Sequence, residues 1–198
     1  MRIIILSKAP IAGKVKTRLM PEYTAEQAVN LHKQMTETVM AKVCSIFDDV
    51  WLAVDDIEHP FFQTLLQKFT CKLKYQGDGD LGQRLQALSA TSFAKDDASI
   101  MFLGTDSPHV AIERYLQAAE ALVNHDVAIG PVEDGGYDLI AIRSNFPEVF
   151  QNIDWGSNTV FDRTLNNINK LRLNVKVLGK SFDLDFAKDL KRALPDTW

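Results

Sequence analysis

Two rhythms of apolar residues alternate along this chain: short runs of consecutive hydrophobic positions, and longer stretches with apolar residues three or four apart. The first run, Ile3-Ile4-Ile5-Leu6, predicts a strand over Arg2 to Ser7 with hydrocarbon on both faces, hence buried on both sides. Thr24 and Gln27 have the spacing of a capping box, and Ala28, Leu31, Met35, Val39, Val43 and Ile46 then recur at helical intervals to about Phe47. "DVWLAVD" (49–55) predicts a second strand, "HPFFQTLLQKF" a short helix entered through Pro60, and "CKLKY" a short third strand. The loop "QGDGDLG" leads into a helix from about Leu81 to Ala94, with Leu85 and Leu88 inward. "SIMFLG" (99–104) is a fourth buried strand ending in the turn "TDSP", and a helix runs from about Ala111 to Val123. Strands at 126–130 and 137–142, a helix around Asn158 to Ile168, the strand "NVKVLG" and a last helix from about Phe186 to Leu194 complete the order.

Strands alternating with helices imply an α/β protein with a largely parallel sheet. One connection breaks that rule. "PVEDGG" leaves six residues between Gly130 and Tyr137, whereas a parallel crossover needs about a dozen. The strand after it must run antiparallel, so the sheet is mixed.

Composition narrows the class without naming an activity. A chain of 198 residues, 46% of them apolar, suits one domain over 1–198 and removes roughly 70% of its unfolded surface from water. A net charge of −4 argues against general nucleic-acid binding, which shows a basic excess. Cys44 and Cys71 form no CxxC or Cys/His cluster and read as buried free thiols in a reducing compartment. The opening apolar run is too short for a signal peptide and no long apolar stretch spans a membrane, so a cytoplasmic protein with no membrane partner is expected.

Charge is distributed unevenly, and that changes the picture. The first twenty residues hold five Lys/Arg and no acid, within a protein that is acidic overall. "KAPIAGKVKTRLMP" (8–21) follows directly on the first strand, and ligands of open α/β sheets bind outside the C-terminal ends of strands. It is neither a Walker A loop, since Gly13-Lys14 is followed by Val15, nor a G-x-G-x-x-G turn. Lys8, Lys14, Lys16 and Arg18 suit a polyanion such as a nucleotide diphosphate, with Arg18 offering a planar fork and the lysines point charges.

Two more segments map to the same rim. In "GTDSP", Asp106 closes a buried strand, where a carboxylate must be paired, hydrogen-bonded or holding a metal. Mg²⁺ takes one or two carboxylates plus phosphate oxygens. The rival reading makes Asp106 a helix cap, a task Ser107 can also fill. "GPVEDGGYDL" sets Glu133 and Asp134 beside Gly135 and Gly136, where the acids bind metal, hold a sugar hydroxyl, act as a general base, or serve only a turn. Elsewhere, Asp185 reads as a helix N-cap, with a metal role for Asp183 or Asp185 as the minority reading. "GDGD" (77–80) reads as a loop, with Gln76 or Asp78 able to face a nucleotide. Trp155 reads as core, and His109 as incidental.

Taken in order, "KAPIAGKVKTRLMP", "GDLGQRL", "GTDSP", "GPVEDGGYDLIAI" and "DLDFAKDL" resemble a bacterial family of GT-A-type glycosyltransferases. It lies in the nucleotide-diphospho-sugar transferase superfamily, related to the molybdenum-cofactor and 2-phospho-lactate guanylyltransferases. The resemblance covers nearly the whole chain. It implies a three-layer α/β/α Rossmann-like GT-A fold with a mixed, mostly parallel sheet containing one antiparallel strand. It implies that Lys8, Lys16 and Arg18 lie near nucleotide phosphates and that Asp106 matches the metal-binding aspartate of the superfamily. Gly13, Gly135 and Gly136 join them as nucleotide-binding candidates, and Asp134 or Asp183 stands as second candidate for holding Mg²⁺ or Mn²⁺. Asp106, Glu133 and Asp134 are then the catalytic candidates, and a small acceptor is expected near Glu133, Asp134 and Tyr137. The implied reaction is glycosyl transfer from a nucleotide sugar, with nucleotidyl transfer releasing pyrophosphate, or a degenerate nucleotide-binding or interaction protein, as alternatives. Asp106-Ser107-Pro108 departs from the D-x-D of typical GT-A enzymes, and the first loop is poorer in glycine than that of the guanylyltransferases.

Overall fold

The computed structural model describes residues 1–193. Seven strands form one sheet in the order β3-β2-β1-β4-β6-β5-β7. They are β1 (Arg2–Ser7), β2 (Val50–Val54), β3 (Lys72–Tyr75), β4 (Ile100–Leu103), β5 (Val127–Pro131), β6 (Tyr137–Ile142) and β7 (Val175–Val177). Strand β6 runs antiparallel to both neighbours, β4 and β5, and the other pairs are parallel. The short 131–136 connection forces that reversal, as its length predicts.

Helices α1 (Ala25–Cys44), α2 (Pro60–Lys68), α3 (Leu81–Phe93), α4 (Ile112–Ala121), α5 (Val160–Lys170) and α6 (Ala187–Arg192) flank the sheet. Strand pleat sorts the core into two layers. Ile3 and Ile5 of β1 pack with Val39, Met40 and Val43 of α1 and Phe62 of α2 on one face, while Ile4 packs with Leu85 and Leu88 of α3 and Ile168 of α5 on the other. Each fully buried aliphatic side chain stabilises by about 1.5–3 kcal/mol relative to exposure, which is why the central strands are apolar on both sides. Both caps read as reciprocal boxes: Thr24 with Gln27 on α1, and Asp80 with Gln83 on α3.

Arg2 is buried with the rest of β1, at 1% exposed, its guanidinium bonded to Asp49, Asp96 and both the hydroxyl and carbonyl of Ser92. Several expectations need adjustment. The segment 17–19 forms a single 3₁₀ turn, and a second such turn at Pro147–Phe150 gave no sequence signal. Ala111 occupies the N-cap position of α4 without a side-chain cap, so neither Asp106 nor Ser107 caps that helix, and the last helix starts at Ala187; Leu194, its expected end, lies outside the described residues. Cys44 and Cys71 are free thiols, half-buried rather than buried, and burial pushes the Cys71 thiol up to about 11. Among the described residues, no helix is long and apolar enough to cross a membrane.

Candidate functional site

Strand β1 is flanked by β2 on one side and β4 on the other, and the chain winds outward in opposite directions from that pair. A crevice opens where the order reverses, beyond the C-terminal ends of β1 and β4. Here it is a cavity of ≈ 610 Å³. Lys8, Lys14, Lys16 and Arg18 line it from the β1 side, and Thr105 and Asp106 line it from the β4 side.

The alternation in "KVKTRL" makes the first loop work as a cation rack. Val15 and Leu19 are buried anchors, 4% and 1% exposed, so the residues between them face outward or into the crevice. The Ala9 amide donates to Asp55 Oδ1 at 2.6 Å, and His32 Nε2 meets the Lys8 carbonyl at 2.9 Å, which pins the loop's first turn. Lys16 takes a left-handed backbone (φ 47°) as the chain enters the 3₁₀ turn.

Lys16 is the centre of the site. Its side chain is 5% exposed, and Nζ lies 2.8 Å from Asp106 Oδ1, 2.9 Å from the Leu184 carbonyl and 3.1 Å from Asp185 Oδ1. Burial opposes its charge, but Asp106 and Asp185 outweigh burial and raise its pKa. Asp106 mirrors this: desolvation is overcome by Lys16, with His32 and Lys8 adding, and the carboxyl is held below its usual range. Arg18 Nη1 meets the other oxygen of Asp185 at 2.7 Å. Asp185 is therefore not the helix cap its sequence context suggests. The Phe186 amide is capped instead by Asp189, at 2.8 Å.

Asp183 stands on the far side of Asp106. Its Oδ1 accepts from the Ser107 hydroxyl at 2.5 Å. Desolvation first, and Asp106 second, push its pKa up to about 7. Two further cleft residues carry donors without a partner among the described residues: Gln76 Nε2, in a side chain of a residue 4% exposed, and Arg84 Nε. Trp155 is both core edge and cleft wall, packed against the Ile4 layer while lining the crevice. It is half-buried, sits edge-on to Tyr137 with ring centroids 6.4 Å apart, and its indole needs Gly82, where a Cβ would lie 2.6 Å from Nε1.

The remaining candidates stand outside the crevice, although Asp134 is near enough to Asp183 to help raise its pKa. Glu133 is exposed and makes a two-pronged pair with Arg192 at 2.6 and 2.9 Å. Asp134 is exposed and accepts from the Gly136 amide at 2.9 Å. Neither lines the crevice. Gly135 has φ +92° and a Cβ there would collide with the Asn158 carbonyl, so close packing of the 131–136 turn on the 157–159 segment accounts for this glycine. Gly13 has φ +77° with open space around it. His109 stacks on Phe182 at 4.1 Å, and burial lowers its pKa to about 4.

The donor set suits a hard cation only in part. Asp106, half exposed at 48% of its side chain, and Asp183 offer carboxylate oxygen. No group of three His, Cys, Asp or Glu side chains is arranged to hold a metal among the described residues. An Mg²⁺ ion fits here if ligand phosphate and water complete its shell, which is its ordinary habit.

Residues 24–157 match the model of a family described as "Uncharacterized protein conserved in bacteria (DUF2064)". No curated protein matches the chain in sequence. Among solved structures, a protein of Desulfovibrio desulfuricans G20, provisionally named a nucleotide-diphospho-sugar transferase, is 27% identical with a TM-score of 0.88, over 99% of this chain and 88% of that one. CMP:2-keto-3-deoxy-manno-octonic acid synthetase complexed with CTP is similar at 11% identity and TM-score 0.61, over 96% and 95% of the two chains. Molybdopterin-guanine dinucleotide biosynthesis protein A of Archaeoglobus fulgidus is similar at 16% identity and TM-score 0.55, over 98% and 96%. The last two share the fold.

Proposed function

We propose that this chain, which belongs to the bacterial family DUF2064, is a transferase that grips a nucleotide by its diphosphate and passes a glycosyl group to a small acceptor with the help of Mg²⁺ or Mn²⁺. One observation carries the reading: four cations of the first loop and the carboxylate of Asp106 face one crevice at the point where strand order reverses. The provisional name of the D. desulfuricans protein, similar over nearly the whole chain, supports it.

Each residue has a defined task. Lys8 and Lys14 are exposed point charges, and Arg18 presents a fork that matches phosphate oxygens. Preorganised cations in a partly enclosed cleft stabilise charge that builds on a leaving diphosphate. Lys16 acts as an exchanger. Its ammonium neutralises Asp106 and Asp185 in the free protein, and incoming phosphate competes for it, freeing carboxylate oxygen as negative charge arrives. A divalent ion, held by Asp106 with Asp183 as the second carboxylate, would supply Lewis-acid stabilisation of the leaving group. The unpaired donors of Gln76 and Arg84 await acceptor atoms, such as carbonyl oxygens of a base.

A thermal-shift panel of nucleoside diphosphates and nucleotide sugars, with and without Mg²⁺, tests the reading. A ligand at 100 times its dissociation constant adds about 2.7 kcal/mol to stability, and no shift with any nucleotide would sink the proposal. Asp106→Asn should keep the fold and abolish the metal dependence of binding. Nucleotidyl transfer is the second reading, favoured by the fold shared with the CTP-bound synthetase. Release of pyrophosphate from a nucleoside triphosphate plus a phosphorylated acceptor would establish it over glycosyl transfer.

A further inference from the structure

A second cavity, of ≈ 200 Å³, adjoins the cationic crevice and shares Leu6, Leu81, Gly104 and Asp106 with it. Its character is the opposite. Leu85 of α3, Phe102 of β4 and Leu139 and Ile140 of β6 form its body, each 3% exposed or less. Five residues with polar groups touch it, Asp106, Ser107, Tyr137, Asp138 and Asp183, and two of them, Ser107 and Asp138, are already committed. Asp138 takes both prongs of Arg114, at 2.7 and 3.0 Å, and the Ser107 hydroxyl is held by the Phe182 carbonyl and Asp183. Oxygens of Asp106 and Asp183 remain for a ligand, and of the four shared residues Asp106 is the one with a polar side chain.

Hydrocarbon walls with carboxylates on one side do not suit a free sugar, whose ring hydroxyls would be stripped of water and left unpaired. They suit a molecule with an apolar body and one polar end. We propose that this cavity is the acceptor subsite, and that the acceptor is an alcohol with a compact hydrocarbon body, its hydroxyl turned toward Asp106 and Asp183. This rests on the reading of the crevice as the nucleotide site; it keeps the acceptor beside Tyr137, which lines this cavity, but moves it from the exposed Glu133-Asp134 turn to the apolar side of Asp106.

Saturation-transfer NMR and calorimetry on the full chain would compare benzyl alcohol and cyclohexylmethanol with glucose and inositol, alone and with a nucleoside diphosphate and Mg²⁺. The apolar alcohols should bind at least tenfold more tightly than the polyols. Leu85→Phe fills the cavity without touching the crevice, and should weaken alcohol binding at least tenfold while changing nucleotide affinity less than twofold. Phe102→Leu enlarges the cavity and should shift preference toward bulkier alcohols, which keeps the test intact should the filled variant misfold. Equal binding of alcohols and polyols, or alcohol affinity unmoved by both substitutions, overturns the subsite while leaving the nucleotide reading standing. Alcohol binding without any nucleotide binding overturns the nucleotide reading, and with it the acceptor role.

Discussion

The two ends of the central strand each bury a cation, and the two are built for different ends. Arg2 sits at the start of β1 with its side chain 2% exposed, and Lys16 sits past the end of β1 at 5%. Arg2 is locked. Its planar fork is met by Asp49, Asp96 and two oxygens of Ser92, and the guanidinium lies 4.6 Å over the Trp51 ring. These groups tie β1 to the 49 and 92–96 segments from three directions. Lys16 also has three oxygen partners, but it is a point charge on a flexible stem, and Asp106, one of those partners, opens onto a cavity of ≈ 610 Å³. Burial of charge alone therefore does not mark a site. Exchangeable partners beside open volume do.

The largest expected effect on stability breaks the locked end. Arg2→Met leaves the buried Ser92 hydroxyl without its donor and removes the cation beside Asp96, while Asp49 keeps Lys72, and should cost about 1–3 kcal/mol, the usual cost of a buried polar group left unsatisfied. Urea unfolding would measure it, and nucleotide affinity at low temperature should change less than twofold. Lys16→Met attacks the other end. Loss of one charge-assisted contact, about 1.5–3 kcal/mol, should weaken nucleotide binding roughly 10- to 100-fold by calorimetry, with a smaller loss of stability than Arg2→Met. A variant that kept full affinity would remove Lys16 from phosphate binding.

A pH test sharpens the contrast further. Asp183 is pushed up to about 7 while an unfolded aspartate titrates near 3.9, so between these values the native state holds a proton that the unfolded chain has released. Its contribution to stability is full below the unfolded value, falls as pH rises, and is gone above about 7. Asp183→Asn should flatten that fall, so the melting temperature of the variant relative to the parent rises from pH 5 to pH 8 in metal-free buffer. An unchanged difference would show that Asp183 is an ordinary carboxylate. The smallest effect belongs to Glu133→Gln. That exposed pair with Arg192 contributes little in water, and nucleotide affinity should stay as it was; a clear loss would restore Glu133 to the site.

Much of the fold was legible because it rests on local rules. Capping at Thr24, apolar runs at 3–6 and 100–103, and a connection too short to cross over are properties of neighbouring residues. The reversed strand followed from counting alone. The site was legible in half. Lys8, Lys16, Arg18 and Asp106 do converge, because motifs at the ends of adjacent parallel strands meet whatever lies between them. Asp185 was misread since an acid before a helix looks like a cap, and only the fold brings it against Lys16, 169 residues away in sequence. Glu133 and Asp134 do not line the crevice, and acids beside paired glycines could not show that, since a turn and a ligand loop call for the same residues.

What the amino-acid order determined by itself is the set of elements, their hydrophobic faces and the reversal of β6, since these depend on side-chain period and chain length over short spans. Tertiary structure alone decided which acid partners Lys16, that Trp155 borders the crevice, and that an apolar hollow lies beside Asp106. Those outcomes depend on how sheet and helices pack across distances that no sequence window contains, and on the requirement that a buried charge find its counter-charge wherever the fold has placed one.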